Sequence, residues 1–156
     1  MIARTIRIGC AALLATTLVL GLVDVSYPAT ADQAATDDGI VRVKSGYAFD
    51  ETVSRLKSDI AAKGITFFMA VDQAKLASDS KITLRPSTLL VFGNPALGTQ
   101  FITSNPTAGL DWPVRLLVQQ DANGDVWTAY TDFGWIARRH RIKDRDAAFT
   151  MASKVI

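Results

Sequence analysis

Asp72 ends an apolar run from Ile65 to Val71, and a carboxylate in that position could move a proton. Its plainer role is to cap a helix beginning at Gln73. Phe92-Gly93-Asn94-Pro95 could hold an anion. In this reading the strand ends at Phe92, Gly93 permits the turn, Asn94 caps a helix and Pro95 takes its first position. The amides near Ala96 and Leu97 would then face outward at a positive helix end, unless Asn94 satisfies them itself. Arg85 and Arg115 are the cations that would complete such a site.

Other groupings are weaker. Asp121, Asn123, Asp125 and Asp132 match positions one, three, five and twelve of a calcium loop, but Val126 stands where that loop needs glycine. The same stretch reads better as a hairpin turning at Asn123-Gly124. Arg138-Arg139-His140-Arg141, with Lys143 and Arg145, reads as a solvated basic face beside Asp144 and Asp146. His140 is the sole histidine, which leaves no basis for a histidine metal site within one chain. Trp112, Trp127, Trp135, Tyr130 and Phe133 could line a groove or simply pack the core. There is no nucleophile elbow and no phosphate loop, so no catalytic residue, metal or cofactor is called for.

These residues need elements to hold them. Phe49, Val53, Leu56 and Ile60 repeat at helical spacing, and Lys63-Gly64 stops that helix. Strands are expected at 39–44, 65–72, 87–92, 114–120 and 126–132. The third is apolar throughout, which suggests a central position. Short helices are expected at 73–78 and 95–102, a Pro/Gly-rich turn follows through Pro106 and Gly109, and a last helix spans 147–155 with Phe149 and Val155 as anchors. Hairpin-linked strands with helices gathered at the ends indicate an α+β domain.

The front of the chain has another purpose. Arg4 and Arg7, an apolar run from Ile8 to Val23 and the small residues of Ala29-Thr30-Ala31 predict a secretory leader over 1–31. That run is short for a spanning helix, so no stable membrane span is expected once the leader is removed. Cleavage before Asp32 would place the remainder in the periplasm or outside the cell. Residues 32–38 then form a flexible lead-in to a single domain over 39–156. The lone cysteine, Cys10, lies in the leader, so the domain must be held by its apolar interior alone. A composition with 49% hydrophobic and 21% charged residues excludes both a disordered chain and a multi-span membrane protein. A net charge of +2 gives no case for nucleic-acid binding.

Several stretches together resemble one family. Glu51-Thr52-Val53-Ser54-Arg55-Leu56, Lys63-Gly64-Ile65, Leu84-Arg85-Pro86-Ser87-Thr88, Phe92-Gly93-Asn94-Pro95 and Gly109-Leu110-Asp111-Trp112-Pro113-Val114-Arg115 are similar to domain of unknown function 302. The resemblance implies a curved antiparallel sheet of about five strands in β-α-β4-α order, with helices on one face and with homodimer formation. It implies no activity, because the family has none established. Members often carry Asp-His where this chain has Asp72-Gln73. The expected function is therefore a non-enzymatic binding or interaction domain of the cell envelope, whose partner is a second copy or an envelope component. The alternatives are a small-anion binder at Asn94-Pro95 and an enzyme using Asp72.

Overall fold

The structure, a computed structural model, describes residues 36–156. The expected leader and most of the lead-in lie outside the described residues. Five strands form one antiparallel sheet: β1 (Ile40–Lys44), β2 (Thr66–Asp72), β3 (Ser87–Gly93), β4 (Val114–Gln120) and β5 (Val126–Thr131), ordered β1-β5-β4-β3-β2. The fold is α+β, as expected. The apolar β3 is internal, although β4 takes the middle of the sheet.

Register divides the side chains between two faces. Leu90, Leu116, Tyr130 and Val41 align across neighbouring strands on one face, as do Thr88, Val118, Thr128 and Val43. Helix α1 (Phe49–Ala62) covers this face, burying Ile60 against Leu90, Phe92, Leu116 and Val118. Leu90 and Val118 have no exposed surface, and each contributes about 1.5–3 kcal/mol by leaving water. Gly64, at φ +64, ends this helical segment as its residue type requires. Leu89, Val91, Leu117, Trp127 and Ala129 point to the opposite face and are half-buried.

The remaining helices are α2 (Gln73–Asp79), α3 (Pro95–Ser104), α4 (Phe133–Arg139) and α5 (Asp146–Ser153), with a 3-10 helix at Pro106–Leu110. The 3-10 helix and α4 were not expected as elements. Asp132 starts α4 by accepting from the Trp135 amide at 2.7 Å, and Phe133 and Ile136 form its buried side. Phe101, Ala108, Phe133, Ile136, Ile142 and Phe149 build a second core beyond the sheet end where β3 finishes and β4 begins. Val114 touches both cores and joins them. Phe149 anchors α5 as expected, but Val155 lies past its end and is exposed. In the β4–β5 turn only Gly124 takes a positive φ, because Asp121 holds the turn instead, accepting from the amides of Asn123 and Asp125.

Candidate functional site

Where α3 leaves the sheet, an apolar pocket of about 370 Å³ opens to solvent. Its position follows from one close approach. The Trp112 indole packs directly on the backbone at Gly93 and Gly98, so near that a Cβ at either glycine would sit 2.0 or 1.9 Å from a ring carbon. Neither glycine has a positive φ, so both are needed for proximity and not for turning. The expectation that Gly93 serves the turn is corrected on this point. Phe92, Leu97, Phe101, Val114 and Phe133 complete the inner wall, and Met151, Val155 and Ile156 form the outer one. Lys63, Asn94 and Lys154 are the polar residues around it.

The residues singled out in the sequence fall at three places. Gly93 and Asn94 line the pocket, with Pro95 next to them at the first position of α3. The Asn94 side chain accepts from the Leu97 amide at 3.2 Å, so it caps α3 itself. Arg85 precedes β3 and Asn94 follows it, which separates them by about 20 Å of extended chain. Asp72 lies at Arg85's end of the sheet, exposed, and caps α2 by accepting from the Lys75 amide at 2.8 Å. Gln73 accepts from the Ser87 hydroxyl at 2.7 Å. Arg115 pairs with Val91 across the strands, on the face away from α1, and donates to Asp111 at 3.0 Å. It does not line the pocket. The tryptophans do not share a groove either: Trp127 lies under Arg42 on the open sheet face and Trp135 packs on Gly39.

The basic cluster is not a simple solvated face. His140 is buried and donates Nε2–H to the buried carboxylate of Asp111 at 2.6 Å. That same carboxylate takes Arg115 and Arg139 at 3.0 and 3.1 Å. The ring's Nδ1 meets the Thr107 hydroxyl at 3.0 Å, and Asn105 donates to the His140 carbonyl at 2.8 Å. Asp111 thus ties the end of the 3-10 helix to β4 and to the C-terminus of α4. Thr107, His140 and Asp111 form one continuous chain of hydrogen bonds that clamps the 3-10 helix to the end of α4. Sequence reading missed it because Asp111 and His140 meet only through the helical end-cluster.

Among the described residues, no three His, Cys, Asp or Glu side chains are gathered to hold a metal. Asp121 of the calcium-like count is instead a turn anchor. Partial desolvation pushes its pKa up, but the Trp127 indole N–H, two turn amides and Lys44 together hold it below the ordinary 3.8. Hydrogen bonds from Thr36 and Ser104, respectively, hold Asp38 and Asp144 low as well. The unfolded chain takes up these protons first as pH falls. The stability they contribute is therefore complete above the ordinary carboxylate range and is lost as pH drops through 3.8 and below. Denaturant midpoints measured from pH 6 to pH 2.5 should fall most steeply below pH 4 and flatten in Asp121→Asn.

The fold and its cavity define a small α+β domain with room for a ligand. The chain belongs to the family described as Domain of unknown function DUF302, whose pattern matches residues 41–156. Its fold is similar to that of an uncharacterized conserved DUF302 protein from Bacillus stearothermophilus. That match has a TM-score of 0.68 at 16% identity and covers 75% of this chain and 91% of the other. The chain is also 36% identical, over 106 residues, to proteins named fluoride-specific ion channel FluC 1 from Brucella suis and from Brucella abortus. Those alignments take in 68% of this chain but only 42% and 39% of the relatives, so the chain spans about two fifths of their length. Among the described residues no helix is long and apolar enough to cross a membrane.

Proposed function

We propose that this chain is an exported, non-enzymatic binding domain of the cell envelope, with the Trp112 pocket as its ligand site. The observation that carries the reading is the pocket itself: about 370 Å³, walled by aromatic and aliphatic side chains, with three polar residues around it. Size and lining both fall in the range of small-molecule sites, roughly 300–1,000 Å³. The envelope placement is supported by the expected leader over residues 1–31. Fluoride conduction does not carry over, since the match leaves most of those relatives uncovered. Native mass spectrometry of the protein recovered from cells should show a processed N-terminus and a retained small molecule that Trp112→Ala loses. A chain still beginning at Met1, free of any adduct, would overturn the proposal.

A second reading, self-association, is favoured by the β2 edge. Phe67, Phe68, Met69, Leu76, Ile82 and Leu84 are all exposed along β2, α2 and the loop that follows. Exposed apolar side chains along an edge strand can be covered by the same edge of a second copy about a two-fold axis. Light scattering at micromolar concentration should then give twice the chain mass, and the charge introduced by Met69→Lys should halve it. A monomeric parent protein would remove this reading.

A further inference from the structure

We propose that the pocket's ligand is an amphipathic monoanion, with an apolar body of about ten carbons ending in one carboxylate. The inference rests on the pocket being a binding site and adds what binds there. At roughly 30 Å³ for each water-sized group, 370 Å³ holds about a dozen non-hydrogen atoms. The inner wall of Phe92, Leu97, Phe101, Trp112 and Phe133 offers them no hydrogen bond except what the indole edge can donate. A bare inorganic anion would lose its water there without compensation, whereas an acyl chain gains by leaving water.

The head group is specified by the polar residues around the cavity. Lys63 and Lys154 line it and no carboxylate side chain does. Among the described residues Lys154 makes no ion pair, and Lys63 has only a long 3.4 Å contact with the exposed Asp59. Asn94 has committed its oxygen to the Leu97 amide, so what its side chain has left to offer is the amide N–H groups. The lining therefore brings donors and positive charge to an otherwise apolar cavity. A negative head group would find the lysines as partners, whereas a cationic or zwitterionic head would bring in a positive charge with no acidic side chain in the lining to meet it. Because Asn94 occupies the amide it caps, the lysines, and not the start of α3, are the groups that would hold the anion.

Decanoate, decanol, acetate and inorganic phosphate, titrated separately into the full chain, test this by calorimetry and thermal shift. Decanoate should bind about tenfold more tightly than decanol, with an affinity that falls as salt is raised, and acetate and phosphate should give no shift. In the double variant Lys63→Met, Lys154→Met, decanoate affinity should fall about tenfold while decanol affinity is unchanged. Equal binding of decanoate and decanol, or a double variant indifferent to the change, overturns the head-group assignment and leaves the pocket reading standing. If neither ten-carbon compound binds, the pocket reading itself fails.

Discussion

Asp111→Ala should lower the unfolding free energy by about 3 kcal/mol, the lower part of the range for breaking a buried ion pair. The Asp111 carboxylate is 4% exposed and faces three donors: Arg115, Arg139 and His140. The two guanidiniums, each nearly half exposed, can turn back to water when the carboxylate goes. His140, 4% exposed, cannot, and its Nε2–H is stranded in the interior. Asp111→Asn keeps one acceptor oxygen and should cost about half as much. The check is urea unfolding of both variants and of His140→Ala, combined in a double-mutant cycle. Coupling between Asp111 and His140 should exceed about 1 kcal/mol. Single losses that simply add would mean that the two residues do not act together.

The second large effect belongs to Gly98. Gly98→Ala would place a methyl carbon 1.9 Å from the indole of Trp112, with no torsional strain to confuse the result. The ring must move, because the helix backbone behind the new carbon cannot. Overpacking of this kind costs about 1–3 kcal/mol. The same movement reshapes the pocket, so any ligand-induced rise in melting temperature should shrink alongside the stability. Gly46→Ala is the matched control: nothing lies within 4 Å of the added carbon, and its effect should stay within about 0.5 kcal/mol. Adding Trp112→Phe, a smaller ring, to Gly98→Ala should recover part of the loss. Equal melting temperatures for Gly98→Ala and Gly46→Ala would show that the ring does not lie where described.

Much of the fold is legible in the order of residues. The spacing of Phe49, Val53, Leu56 and Ile60 marks α1, and Gly64 marks its end, because helix periodicity and left-handed backbone are properties of neighbours in the chain. The five strands stand close to their expected limits for the same reason. Helix α4 was harder. Asp132 and the Phe133–Ile136 pair are local helix signals, but a seven-residue helix ending in Arg138 and Arg139 has too few apolar turns to establish a periodicity. The candidate site divides similarly. Asn94 and Pro95 were legible as a helix start, while Arg85 falls at the far end of β3 and Arg115 on the face of the sheet away from α1, placements that only strand pairing decides.

Local chemistry, then, was decided by the order of residues alone: where the strands and most of the helices run, which side chains cap them, and that no cysteine lies beyond Cys10 to reinforce the fold. What faces what was decided only in three dimensions. Trp112 meets Gly93 and Gly98, and Asp111 meets His140, because α3, the 3-10 helix, α4 and α5 fold back over one end of the sheet. Propensity, capping and periodicity act within a few residues, whereas a pocket and a buried carboxylate arise from surfaces that become neighbours only after the core has closed.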